Sequence, residues 1–331
     1  MRFGTIGVVG GGAWGTALAC SLATAGKSCR LWAYETETVR EIEDHRTNRV
    51  FLPNVTIPDN LGVTAKLSDI ADCSLILLVP PAQHLGRIVG ELSRSLDRTQ
   101  PLVVCAKGIE RASNRLLGDV LDDVAPGQPQ AFLSGPSFAA DVARNRPVAL
   151  TVGSDDEDLG EEIARTIGSP RMRVYWTSDT IGVQVGGAVK NVLAIAAGIV
   201  DGLELGASAH AALVTRGFAE MRRFGTALGA RPETLGGLSG LGDLLLTCGS
   251  PQSRNMSLGR ALGHGKIAAD VLGARAAVTE GVFTASAMVS IAKQHGIEAP
   301  IAEAVHAVVE GELAISEAID GLLQRPMKSE D

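Results

Sequence analysis

The sequence predicts an α/β fold, a doubly wound parallel sheet at residues 1–178 followed by a second, all-helical domain at residues 179–331. Three observations predict it. Short β-branched runs alternate with helical segments through the first half. Beyond Asp179 strand-like runs cease, and long apolar segments with helical periodicity take over. The length, 331 residues, exceeds what one compact core usually holds.

The run Ile6–Val9 suits a buried strand and leads straight into Gly10, Gly12 and Gly15. A helical segment follows at residues 13–25, with Leu18 and Leu22 one turn apart and Gly26 able to end it. In that setting the G-x-G-x-x-G spacing reads as a Rossmann-like dinucleotide fingerprint. Gly10 allows the tight turn, Gly12 the approach of backbone to a pyrophosphate, and Gly15 the close packing of helix on strand. The free N–H groups of the helix start then face the phosphates. The same glycines interrupt an apolar run from Phe3 that, with Arg2 and Ala17-Leu18-Ala19, imitates a signal peptide. A second strand is expected at residues 28–32. Glu35 lies beyond it, where an acidic side chain can bind the adenosine ribose hydroxyls, a solvated strand-end glutamate being the plainer alternative. No Arg or Lys lies between Trp32 and Val39, so nothing local receives a 2′-phosphate.

Residues 74–79 and 102–105 read as further strands around a helical segment at 83–96, and ligands of such sheets bind beyond the carboxyl ends of the strands. Pro80-Pro81 ends one strand and Lys107-Gly108 the other, which places Lys107 to meet a ligand; a surface lysine is the alternative. Residues 134–139 (SGPSFA) form a small-residue loop before a short helix from Phe138, suited to close backbone approach or simply to a turn. Strands at 148–152 and 171–176, with a polar, acidic connection at 153–160, complete the first domain.

Helices are expected at residues 180–201, 207–229, 260–265, 281–295 and 299–310. The first carries Lys190, the sole charge between Ile181 and Val200. Moving an ammonium out of water costs several kcal/mol unless its pKa falls or a partner compensates, so this lysine calls for a mechanistic role. A membrane-spanning helix is one alternative, which a central lysine opposes by about 3 kcal/mol. A lysine that snorkels to the surface is the other. After the second of these helices come Gly236-Gly237-Leu238-Ser239-Gly240-Leu241-Gly242-Asp243 and then Ser253-Arg254-Asn255. Asp243 is suited to orient Lys190, Arg254 offers a planar fork for phosphate, and Ser253 and Asn255 add donors. A solvated loop arginine is the plainer reading of Arg254.

Composition narrows the ligand. Hydrophobic residues make up 45%, charged residues 20%, and the net charge of −7 opposes nonspecific attraction to nucleic acid or anionic membrane. A small molecule is expected, with no nucleic acid and no integral membrane segment. The five cysteines form no CxxC pair, which reads as buried reduced thiols in a cytoplasmic protein with no metal.

Several of these motifs, with Trp14–Ala19, Phe51-Leu52-Pro53, Cys105–Gly108 and Gly187–Asn191, resemble bacterial NAD(P)-dependent glycerol-3-phosphate dehydrogenase, in order, up to about Gly321. The resemblance implies that Lys190 is the general acid/base, with Lys107 and Asp243 assisting. It implies that Lys107, Gly135, Ser137, Lys190, Asp243, Ser253, Arg254 and Asn255 form the substrate site. It also implies that Ala13, Trp14, Tyr34, Phe51, Lys107, Ala139, Arg254, Val278 and Glu280 contact NAD or NADP, beside the fingerprint glycines and Glu35. The implied reaction is the reversible reduction of dihydroxyacetone phosphate to sn-glycerol 3-phosphate, which supplies the phospholipid backbone. One position departs from the family pattern: Tyr34 stands where a basic residue or histidine is frequent. Beside Glu35 that disfavours strong NADP preference unless a basic side chain from elsewhere makes the contact. The alternatives are another two-domain reductase, of the 3-hydroxyacid or ketopantoate type, and a non-catalytic dinucleotide sensor. Apolar faces in the helical domain permit a homodimer.

Overall fold

Ile6 and Val8 face one apolar core and Val9 another, and the same division separates Leu75 and Leu77 from Ile76 and Leu78. Strands buried on both faces need helices on both, which is why these runs are continuously apolar. The computed structural model describes residues 3–274, 278–327 and 329. Its strands are β1 (Ile6–Val9), β2 (Cys29–Trp32), β3 (Gly62–Thr64), β4 (Leu75–Leu78), β5 (Leu102–Val104), β6 (Ile109–Glu110), β7 (Arg115–Leu116), β8 (Gln130–Ser134), β9 (Val148–Gly153) and β10 (Met172–Thr177). Eight of them form one sheet in the order β10-β9-β8-β5-β4-β1-β2-β3, and β6 pairs with β7 as a separate hairpin.

All neighbours in the sheet are parallel except β8 and β9, which pair antiparallel with Leu133 opposite Val152. The last two strands therefore run against the other six. The chain moves outward from β1 through β2 to β3 and returns to β4 on the other side of β1. That reversal opens a crevice at the carboxyl ends of β1 and β4, the place where such sheets bind ligands. It lies at Gly10 and Val79: Val79 N donates to Val9 O at 2.8 Å, and a Cβ on Gly10 would meet Val79 O at 2.8 Å.

On the sheet side the helices are α1 (Ala13–Thr24), α2 (Thr36–His45), α3 (Leu85–Leu92), α4 (Leu117–Val124), α5 (Ala139–Ala143) and α6 (Glu157–Ile167). The expected connection at 153–160 is correct only in its first part. Asp156 accepts from Leu159 N at 3.1 Å and starts α6, whose Leu159, Ile163 and Ile167 recur every four residues on the buried face.

No strand is found among the described residues beyond Thr177. The helices there are α7 (Thr180–Gly202), α8 (Gly206–Ala227), α9 (Pro232–Leu235), α10 (Asp243–Cys248), α11 (Arg254–Gly263), α12 (Ala268–Gly273), α13 (Glu280–His295), α14 (Pro300–Glu310) and α15 (Ile315–Leu323). A π-helical turn, Leu238–Gly242, wider than an α-helical one, leads into α10. The helix expected at 260–265 in fact begins at Arg254, because the Ser253 hydroxyl accepts from Met256 N at 3.2 Å and caps it. The Ser253-Arg254-Asn255 stretch is thus a helix start and not a free loop.

Helix α7 is long and apolar enough to cross a membrane, but 89% of its most apolar window is buried by the rest of the chain. It is the axis of the helical half. Gly198 and Gly202 of α7 face Gly259 and Gly263 of α11 with no room for a side chain. A Cβ on Gly259 would collide with Ile195 O, and one on Gly263 would lie 2.7 Å from Ile199 O. The two backbones touch. All five cysteines are buried and unpaired, and burial pushes the thiols of Cys20 and Cys248 up to about 12.

Candidate active site

Three side chains from three elements converge where the sheet's carboxyl edge meets the helical half. Lys107 follows β5, Lys190 lies midway along α7, and Asp243 opens α10. Asp243 Oδ1 lies 2.5 Å from Lys190 Nζ and Asp243 Oδ2 2.7 Å from Lys107 Nζ, so one carboxylate, 1% exposed, holds two ammoniums. Lys107 also donates to Gly135 O at 3.1 Å, and Lys190 to Thr247 Oγ1 at 3.1 Å. The Thr247 hydroxyl in turn donates to Asp243 O at 2.6 Å, one helical turn back. Glycines make this convergence possible. A Cβ on Gly186 would meet Ser239 O at 2.5 Å, and one on Gly187 would meet Ser134 Oγ at 2.7 Å.

The electrostatics follow from burial and proximity. Loss of water lowers the Lys190 pKa to about 8, against the pull of Asp243 upward and with Lys107 adding to the fall. Burial alone would raise the Asp243 carboxyl. Attraction to Lys107 and Lys190 outweighs it and holds the group below the usual carboxylate range. The site therefore contains an ionised acid and a lysine poised near neutrality. Snorkelling is ruled out, since the Lys190 side chain is only 9% exposed and ends on Asp243.

A chain of amides supports the group from behind. Asn191 Nδ2 donates to Lys107 O at 3.2 Å, Asn255 Nδ2 to Asn191 Oδ1 at 2.9 Å, and Gly281 N to Asn255 Oδ1 at 3.0 Å. Asn255 is thereby committed to joining α7, α11 and α13, with one amide hydrogen left over. Ser253 accepts from backbone and keeps its own hydroxyl hydrogen to donate. Arg254, first in α11, is exposed. Ser137 Oγ donates to Gly135 O at 3.0 Å, so that carbonyl receives both Ser137 and Lys107.

The residues expected to contact a dinucleotide start at the glycine turn. Gly10 sits at φ +128°, a Cβ on Gly12 would meet nothing within 4 Å, and one on Gly15 would collide with Gly10 O. Helix α1 begins at Ala13 without a side-chain cap, leaving its first N–H groups to a ligand. Among the described residues, Trp14 Nε1 and Glu280 Oε2 are buried polar atoms here without a partner. Glu280 Oε1 accepts from Ala82 N at 2.9 Å, and burial raises the Glu280 pKa, opposed by the Ala82 N–H and by Arg254. Lys107 Nζ lies 5.9 Å from the centre of the Trp14 ring, which links the fingerprint helix to the lysine pair. Ala139 opens α5, which packs on α1, and Val278 lies just before α13. Phe51 follows Asn48, whose Nδ2 donates to Gly11 O and Thr16 Oγ1, both at 2.9 Å, pinning that loop to the glycine turn. Tyr34 and Glu35 are exposed just beyond β2, and among the described residues Tyr34 meets Trp32 and Arg87 and not the lysines.

Thr247, the Asn191 amide and Asn48 were not singled out from the sequence. Only Thr247 carried a usable signal, its spacing of one helical turn from Asp243. A cleft of about 860 Å³ lined by Gln130, Asp155, Gln184 and His295 includes none of the candidate residues.

Residues 5–160 match the model for the NAD-dependent glycerol-3-phosphate dehydrogenase N-terminus, and residues 179–320 the model for its C-terminus. A protein of Caulobacter vibrioides named glycerol-3-phosphate dehydrogenase [NAD(P)+] is 52% identical over 330 residues, covering 100% of both chains. A protein of the same name from Parvibaculum lavamentivorans is 50% identical over 330 residues, covering 100% of this chain and 99% of its own. The crystal structure of glycerol-3-phosphate dehydrogenase from Coxiella burnetii superposes with a TM-score of 0.94 at 37% identity, covering 98% of this chain and 100% of that one.

Proposed function

The chain belongs to the NAD-dependent glycerol-3-phosphate dehydrogenase family, and from that premise we propose that it reduces dihydroxyacetone phosphate reversibly to sn-glycerol 3-phosphate with NAD(P)H. The observation that carries the proposal is the pair of lysine ammoniums on one buried carboxylate, beside a crevice shaped for a dinucleotide. The open space at Gly12, the uncapped start of α1, and Trp14 Nε1 and Glu280 Oε2, without partners among the described residues, all fit such a cofactor. When bound, the nicotinamide supplies or accepts a hydride at the carbon that changes oxidation state.

The protein's own contribution is to place charge and a proton. As an ammonium, Lys190 donates to the alkoxide that develops at the former ketone oxygen; as an amine it takes the proton back in the reverse direction. Asp243 keeps Lys190 from becoming a permanent amine and fixes its direction. Lys107 adds positive potential at the same oxygen. Arg254, with the Ser253 hydroxyl and the remaining Asn255 amide hydrogen, is suited to the phosphate. The proposal includes a division into a cofactor domain at 1–178 and a substrate domain at 179–331, supported by the break between β10 and α7. It also includes a cytoplasmic setting, supported by five buried, unpaired thiols, and a homodimer, supported by the exposed Leu203, Leu205 and Ile267.

The test is to mix the purified protein with dihydroxyacetone phosphate and either NADH or NADPH, and to follow the loss of reduced nicotinamide absorbance. Turnover is expected. Failure with both cofactors, together with turnover of hydroxyacid substrates, would overturn the proposal in favour of a related reductase.

A further inference from the structure

The guanidinium of Arg87 lies 5.9 Å from the centre of the Tyr34 ring, within cation–π range. Arg87 belongs to the first turn of α3, which follows β4, whereas Tyr34 follows β2. β2 and β4 are the two neighbours of β1, so the pair closes over the carboxyl end of β1 at its adenosine side. Tyr34 is itself placed by Trp32, edge to face at 6.2 Å, and Trp32 is anchored by its Nε1 donating to Ala65 O at 3.0 Å. Arg87 is exposed, and among the described residues no carboxylate forms a salt bridge with it. The result is a solvent-facing cation next to the residue that precedes Glu35, in a stretch that has no basic residue of its own.

We propose that Arg87 is the specificity residue for NADP(H), supplying from α3 the positive charge for the 2′-phosphate that the end of β2 lacks. The inference rests on the dinucleotide reading of the crevice. Glu35 and Arg87 then act in opposition. The glutamate favours two free ribose hydroxyls and repels a 2′-phosphate, while the guanidinium attracts it and offers paired N–H donors. Held by an aromatic ring and, among the described residues, by no acid, Arg87 loses no ion pair there on turning to a phosphate. The chain is thereby equipped to use both cofactors.

The experiment compares 2′,5′-ADP with 5′-AMP, which differ only in the 2′-phosphate, by calorimetry on the native protein and on Arg87→Ala. In the variant, affinity for 2′,5′-ADP should fall about tenfold or more, as expected for a lost charge-assisted contact, while 5′-AMP changes by less than about twofold. Equal losses for both would assign Arg87 to the adenine ring and overturn the proposal, as would no loss for either. In parallel, kcat/KM is measured with NADPH and NADH and dihydroxyacetone phosphate. The NADPH value alone should fall in Arg87→Ala, and equal falls would count against the proposal. If the native protein turns over with neither cofactor, the dehydrogenase reading fails, while the binding comparison still decides the role of Arg87.

Discussion

At the scale of single residues, the site depends on the opposition between burial and Asp243 at Lys190. Removing the ammonium in Lys190→Ala is expected to lower kcat by about a hundred- to ten-thousand-fold, the range for a lost general acid, with little change in NADH affinity. Retained turnover would remove Lys190 from the chemistry. The pH dependence has a definite sign. Reduction needs Lys190 protonated, so kcat/KM for dihydroxyacetone phosphate should fall as pH rises through about 8, whereas oxidation of glycerol 3-phosphate should rise over the same range. A reduction profile flat across that range would contradict the assignment. Lys190 and Asp243 were legible in the sequence because each is conspicuous alone, one as a charge in an apolar run and the other as an acid after dense glycine. The Asn191–Asn255 amide chain and the Arg87–Tyr34 contact were not. Each joins residues far apart in sequence whose types are unremarkable singly, so only the folded geometry relates them.

At the scale of elements, the glycine crossing of α7 and α11 fixes the height of Lys190. With backbone against backbone, no side-chain repacking can absorb an added methyl. Gly259→Ala is therefore expected to destabilise the protein by about 2 kcal/mol or more, read as a lower denaturation midpoint, and to lower kcat through displacement of α7. A variant as stable and active as the native protein would show that the crossing relaxes freely. Long elements with strong periodicity were found from sequence nearly in full, as α7, α8, α13 and α14 illustrate. The short polar helices α2, α4 and α6 were missed because their buried residues are set among charges. In α6 the four-residue spacing of Leu159, Ile163 and Ile167 was present but masked by the acidic start at Asp155 to Asp158.

For the whole molecule, the sheet half and the helical half share one site. α7 packs on β8 and β9, and polar bonds cross between the halves. Glu280 accepts from Ala82 N, Gln184 accepts from Gly118 N at 2.9 Å, and Asp243 holds Lys107. Thermal unfolding should accordingly be a single transition. NADH at about one hundred times its Kd should raise the stability by about 2.7 kcal/mol, and the transition should move as a unit. A second transition that ignores NADH would show that the halves unfold independently. The doubly wound plan was readable from the βα rhythm and the glycine spacing, but the reversed pair β9 and β10 was not. Strand direction depends on how the chain reconnects, and an apolar run reads the same either way.

The five buried thiols have a practical consequence at the crevice. Burial raises the pKa of every one of them and closes them off from solvent, so they offer little thiolate to a thiol reagent. A cysteine introduced at the exposed position 87 would then react ahead of the native thiols. Attaching an aminoethyl or a carboxyethyl disulfide there would set the charge at that point to plus or minus one in a single folded preparation. Cofactor choice could in this way be adjusted chemically, and reversed by a reductant, without altering any other atom of the chain.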